Sequence, residues 1–116
     1  MADNERLICA ASELEERACG IRFALPELGE QVAGFVVRFE GVPYAYVNRC
    51  AHVPVELDWQ EGEFFDAEGH YLICATHGAL YEPHSGRCVM GPCAGAALQP
   101  LPVVEHDGGI YLKTED

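Results

Sequence analysis

The sequence predicts an all-β protein: antiparallel sheets forming a β base, with a loop-rich segment inserted in it. Short apolar or alternating runs dominate, namely "RLICAA", "GIRFAL", "GFVVRF", "PYAYV", "EFFD", "YLICA", "ALYE" and "PLPVVEH". Gly, Pro, Asp or Asn punctuates them, as expected of strands and turns. The runs are too short and too numerous for a βαβ unit, and 116 residues suit one compact domain.

Taken in order, the N-terminal runs are strands separated by "SELEER". Ser12 and Glu15 match a capping box there and would open one helical turn as a connector. The runs ending at "PYAYVN" and "HYLI" lead into Cys50 and Cys74, which places both cysteines on loops projecting from a sheet. Gln60 to His70, "QEGEFFDAEGH", reads as a polar excursion with Gly62 and Gly69 at its turns. The stretch from Val89 to Pro102 is rich in Gly, Ala and Pro and is expected to be a third loop rather than a regular strand. "VVEHDGGIYLK" closes the chain as a hairpin, with Asp107, Gly108 and Gly109 supplying positions that tolerate φ > 0. The loop-rich excursion runs from about Asn48 to Pro92 within a single domain, 1–116.

Charge narrows the partners. The formal net charge is −12 and the pI about 4.6. Nucleic acid is excluded as a partner, because affinity for phosphates is built from Lys and Arg. A basic protein patch would be attracted, and encounter with it accelerated. No run of about 18 apolar residues is present, so membrane insertion is not expected. The N-terminal "MADNERLICAASELEER" is acidic where a secretory signal is basic, so a cytoplasmic location is expected. Six cysteines in such a compartment point to metal binding or free thiols rather than to a disulfide framework.

The chemistry concentrates in two pairs, Cys50 with His52 and Cys74 with His77. Thiolate and imidazole suit zinc or iron, not calcium or magnesium. A structural Cys₂His₂ zinc site is one candidate. A zinc finger, however, groups its cysteines in one pair and its histidines in the other. Here each loop donates one of each, the arrangement that lets a dinuclear cluster place both Cys on one iron and both His on the second.

With these residues in view, the chain resembles a Rieske-type [2Fe-2S] ferredoxin or Rieske domain protein. The match runs through "CAH", "CATHG", "LYEPHSGRCVMGPC" and "LQPLPV", roughly Arg38 to Lys113. The resemblance implies a Rieske-like fold with a cluster-binding subdomain, and a [2Fe-2S] cofactor ligated by Cys50, His52, Cys74 and His77. Gly78, Tyr81, Ser85-Gly86, Gly91 and Pro92 follow in the family's order, the Gly-Pro loop covering the cluster. It also implies a one-electron carrier rather than an enzyme, exchanging electrons with a reductase and an oxygenase or other acceptor. Alternatives are the small subunit of a nitrite-reductase-like enzyme and a zinc-stabilised interaction module.

Two departures from the family pattern matter. Residues 53–73 separate His52 from Cys74, more than is common, and added loop length costs little closure entropy. High-potential members staple the ligand loops with a disulfide whose positions are Val55 and Thr76 here, and carry a Ser where this chain has Ala79. Fewer hydrogen bonds to sulfur and a negative surround both disfavour the reduced cluster. A potential in the lower part of the Rieske range of about −150 to +300 mV is therefore expected.

The remaining candidates have ordinary readings. Cys9, Cys19, Cys88 and Cys93 are expected to be small apolar or loop residues, with Cys88 and Cys93 close enough in sequence to pair. His70, His84 and His106 are expected to be solvated, His84 being nearest the site. Glu56, Asp58, Glu61 and Glu63 read as a solvated or partner-docking face, and Trp59 as packing under the excursion. No Ser–His–Asp arrangement or phosphate-binding glycine loop is visible.

Overall fold

The computed structural model describes residues 5–25, 29, 32–49, 56–58, 62–66, 68–74, 78–91 and 96–113. Among these described residues ten strands form three antiparallel sheets. In the first, β1 (Glu5–Ala10) pairs with β10 (Gly109–Lys113), which pairs with β9 (Val103–His106). The second has the order β2 (Ile21–Ala24), β3 (Ala33–Phe39), β4 (Val42–Val47), β8 (Pro100–Leu101). These two make the β base. The third sheet is smaller: β5 (Leu72–Ile73), β6 (Leu80–Tyr81) and β7 (Cys88–Met90).

Strand β3 explains why "GFVVRF" lacks the alternation of a half-exposed strand. Phe35 and Val37 face a core shared with the small sheet, whereas Val36 faces a second core with Cys9, Leu14, Ala45 and Ile110. Both faces are covered, so successive residues are all apolar. Gly34 is required here for close approach, since a Cβ would lie 2.7 Å from the Phe23 ring.

Turns follow local chemistry. The β9–β10 hairpin has a two-residue loop, Asp107 (φ 51°) and Gly108 (φ 76°), with Gly109 opposite His106. Two successive positive φ values match the right-handed twist of the flanking strands. Arg38 gathers the base together. Its guanidinium donates to the carbonyls of Leu14 (2.7 Å) and Ala11 (3.2 Å) and to both carboxylate oxygens of Glu105 (2.9 and 3.1 Å). The bidentate fork explains why an Arg occupies a strand otherwise apolar.

Three expectations are corrected. The connector after β1 is a 3₁₀ turn over Ala11–Glu13, and the Ser12–Glu15 box does not form: the amide of Ala10 donates to the carboxylate of Glu13 instead, at 3.1 Å. The excursion beginning at Gln60 is not merely polar. Phe64 is fully buried and stacks on Phe35, ring centroids 3.9 Å apart, so the segment plugs the core between base and small sheet. The stretch after Cys88 is not all loop either. Val89 and Met90 belong to β7, Cys88 donates its amide to the Ala96 carbonyl (2.9 Å), and Pro100–Leu101 pairs with β4. Proline is tolerated there because β8 is an edge strand.

Candidate metal centre

The small sheet presents its loops at two ends. Cys74, Gly78 and Ala79, between β5 and β6, and Gly91 after β7 lie at one end, and residues 82–87 lie at the opposite one. The first end carries Cys74 of the second Cys–His pair. Its loop is narrow: the Cys74 amide donates to the Ala79 carbonyl (2.9 Å), and the Gly78 amide donates back to the Cys74 carbonyl (2.7 Å). Gly78 adopts φ 72°, with nothing within 4 Å of where a Cβ would sit, so the left-handed backbone rather than crowding selects glycine.

Cys74 sits at the base of this loop with no solvent exposure, packed among Leu57, Leu72, Ala79, Tyr81 and Leu98. The chain after β7 leans on the same loop. Gly91 (φ 107°) lies so close that a Cβ would be 2.8 Å from the Ala79 Cα. A buried thiol beneath a tight loop, roofed by a glycine, is a donor arrangement that fits an iron–sulfur cluster. Tyr81 is fully buried beside it. Cys50, His52, His77 and Pro92 lie outside the described residues, as do Val55 and Thr76.

The first pair is approached through Asn48, the residue following β4. Its amide donates to the Ala33 carbonyl of β3 at 2.8 Å. Asn48 and Asp58 are the only buried polar side chains among the described residues, at 5% and 8% exposure. Asp58 was expected on a solvated face. Its side chain is instead fully buried and hydrogen-bonded to Asn48, with the Arg22 guanidinium 3.9 Å away. Glu56 does lie at the surface, paired with Arg22, and Glu63 is exposed; Glu61 and Trp59 lie outside the described residues.

The opposite end of the small sheet fastens it to the base. The Tyr46 hydroxyl of β4 donates to the Pro83 carbonyl at 2.7 Å, and burial pushes its phenol well above the ordinary value. Ser85 donates to Glu82 (2.7 Å) and accepts from the Arg87 amide (3.2 Å), which closes the turn. The Ser85-Gly86 turn is thus a docking device and not part of the cluster surround. His84 belongs to this end, with its imidazole 3.7 Å from Glu82, so its expected place near the ligand loops is corrected.

The other candidates separate cleanly. His70 is exposed, 3.6 Å from Glu68. His106 is not simply solvated: its ring bonds Glu5 (2.8 Å) and Asp107 (3.0 Å) and stacks on Tyr111. Cys9 is buried in the base core, and desolvation raises its thiol pKa; Cys19 is exposed. The Cys88 thiol lies 3.4 Å from the Met90 carbonyl, and Cys93 is outside the described residues. No group of three His, Cys, Asp or Glu among the described residues is arranged to bind a metal. No helix among them is long and apolar enough to cross a membrane.

Sequence reasoning missed Asn48 and Tyr46. Asn48 did leave a signal, a polar side chain following an apolar strand two residues before the candidate ligand Cys50.

A model of the Rieske [2Fe-2S] domain matches residues 4–105. No curated protein sequence matches the chain. Similar solved structures include the ferredoxin of carbazole 1,9a-dioxygenase from Nocardioides aromaticivorans IC177, 20% identical with a TM-score of 0.75, covering 97% of this chain and 99% of that one. The Sphingomonas yanoikuyae B1 ferredoxin is 18% identical with a TM-score of 0.75, over 97% and 100% of the two chains. A terminal oxygenase of carbazole 1,9a-dioxygenase from Novosphingobium sp. KA1 is 25% identical with a TM-score of 0.72, over 98% of this chain and 30% of that chain.

Proposed function

This chain belongs to the Rieske [2Fe-2S] domain family, and we propose that it works as a small one-electron carrier for an oxygenase or another reductase system. The observation that carries the reading is the β5–β6 loop, where a fully buried Cys74 sits beneath a left-handed Gly78 and a closely packed Gly91. The family's cofactor is a Rieske-type [2Fe-2S] cluster, which when bound takes up and gives back a single electron.

The residues divide the work. Cys50 and Cys74 would hold the cluster through their thiolates, and His52 and His77 through their imidazoles, all within a cluster-binding segment of about 48–92. Burial of Cys74 keeps water from its thiolate. Each imidazole would use one ring nitrogen as a ligand and keep the other for a proton, which would couple the redox state to the charge of those rings. Ala79 offers no hydroxyl toward the cluster, and the net charge of −12 opposes added negative charge. Both support a potential low in the Rieske range.

The partner follows from charge and from the relatives. An acidic carrier encounters basic patches fastest. One neighbour of similar fold is a complex of reduced oxygenase and oxidized ferredoxin in carbazole 1,9a-dioxygenase. By that analogy we take an oxygenase component as the acceptor and a reductase as the donor. The thiols of Cys9 and Cys19 suit a reducing compartment, and we place the protein in the cytoplasm.

The test is the EPR spectrum of dithionite-reduced protein together with its metal content. A rhombic signal averaging near g ~1.9 is expected from mixed Cys/His ligation. Protein containing one zinc and no iron, or a spectrum of all-cysteine type, overturns the reading.

A further inference from the structure

We infer that Asn48 and Asp58 are positioning residues for the first ligand pair, a hydrogen-bonded tie that joins the two ends of the loop carrying Cys50 and His52. The inference rests on the ligand reading above and adds to it the means by which that loop is held.

The geometry is specific. By sequence, Cys50 and His52 fall between Asn48 and Leu57. The Leu57 amide donates to Asn48 Oδ1 at 2.9 Å, and Asn48 Nδ2 donates to Asp58 Oδ1 at 3.0 Å. Only one amide orientation satisfies both contacts, because a backbone N–H cannot accept and a carboxylate cannot donate. The second Asp58 oxygen accepts from the Gly62 amide at 3.1 Å, and Gly62 in turn holds Gly20 of the base, whose amide donates to the Gly62 carbonyl at 2.7 Å. Asn48 itself is fixed to β3 through its own amide. One asparagine thus attaches both ends of the ligand loop, and the segment after it, to the central sheet.

The setting makes the tie effective. Asp58 has a fully buried side chain, and its charge is offset by Arg22 Nε at 3.9 Å. Among the described residues no buried side-chain nitrogen or oxygen lacks a hydrogen-bond partner. A satisfied buried network of this kind fixes one geometry, and a half-satisfied one is costly. A metal's direct ligands are oriented by such outer contacts, whose removal typically costs about 10–100-fold in metal affinity.

The experiment exchanges the two polarities in the iron-loaded protein. Asn48→Asp sets two carboxylates against each other, and Asp58→Asn faces an amide donor toward the Gly62 amide or toward Asn48. The double variant restores all three bonds: residue 48 accepts from Leu57 and from the new amide at 58, whose oxygen accepts from Gly62. Each single variant is expected to lose iron to bathophenanthroline at least about tenfold faster than the parent, with broadened EPR lines after reduction. The double variant is expected to return both readouts to within about threefold of the parent. Should a single variant fail to fold, the double variant still decides, since only the paired exchange predicts parental iron retention and line shape. Additive losses in the double variant overturn the inference. So do single variants that melt earlier yet keep the parental line shape and release rate. Cys50→Ser separates the two readings: if it retains a Rieske spectrum, the ligand assignment and this inference fall together; if it loses the spectrum while Asn48→Asp changes nothing, only the inference falls.

Discussion

The hydroxyl of Tyr46 donates to the carbonyl of Pro83 at 2.7 Å, linking the central base strand to the turn that ends the small sheet's hairpin 37 residues later. Gly86 lies against the same ring, where a Cβ would be 2.6 Å from the Tyr46 Cε1. Tyr46→Phe is expected to destabilise by about 1–3 kcal/mol, since it leaves a buried carbonyl without its donor. Gly86→Ala is expected to cost more, because it adds a clash to a left-handed backbone. Urea denaturation followed by fluorescence measures both, and equal stability of Tyr46→Phe and the parent would contradict the docking role.

Phe64 is the second fastening. It is fully buried and stacked on Phe35 at an interplanar angle of 10°. Phe64→Ala is expected to cost about 3–5 kcal/mol through lost burial and an incompletely filled cavity. Phe64→Leu should recover most of that. A loss under 1 kcal/mol for the alanine variant would show that the segment is peripheral to the core.

Ala79 offers a direct reading of potential. Its side chain is buried beside Cys74 and under Gly91. Ala79→Ser is expected to raise the midpoint potential by roughly 40 mV, the one-electron equivalent of a hydrogen bond of about 1 kcal/mol to the reduced cluster. Protein-film voltammetry compares the two proteins. An unchanged or lowered potential would mean that the hydroxyl does not reach a cluster sulfur.

His106 predicts a pH dependence of stability. Hydrogen bonds to Glu5, and then to Asp107, raise its pKa above the ordinary 6.5. A raised folded-state pKa favours the protonated folded form. The contribution is therefore complete below about pH 6.5 and lost as pH rises through the higher folded-state value. His106→Gln should melt earlier than the parent at pH 5.5, with the difference vanishing at alkaline pH. A gap that persists unchanged at pH 9 would assign the effect to stacking on Tyr111 instead of charge.

The strand runs and the closing hairpin were legible in the sequence because each depends on residues near one another in the chain. Asp107 and Gly108 declare their turn locally, and "CAH" and "CATHG" declare donor types. Asp58 could not be read this way. Its neighbours Glu56 and Glu63 are exposed, and only Asn48 ten residues earlier, Arg22 and the Gly62 amide make burial of its charge tolerable. Phe64 was hidden similarly: it sits among Glu63, Asp66 and Glu68, and the partner that buries it is Phe35 on a distant strand. The 3₁₀ turn takes its cap two residues before the expected one because Arg38 engages the Ala11 and Leu14 carbonyls from outside the segment. His84 was misplaced for a topological reason, since the hairpin reverses between His77 and that residue.

Strand β1 lies against β10, so that Glu5 faces Lys113 in the register of the first sheet. The first and last described strands therefore run side by side in the base, and the small sheet is held from elsewhere, by Tyr46 and Phe64. Neighbouring first and last strands are the arrangement that tolerates joining to, or insertion into, a larger protein. Such a unit is portable: the same wiring suits a diffusing shuttle or a fixed part of a longer machine.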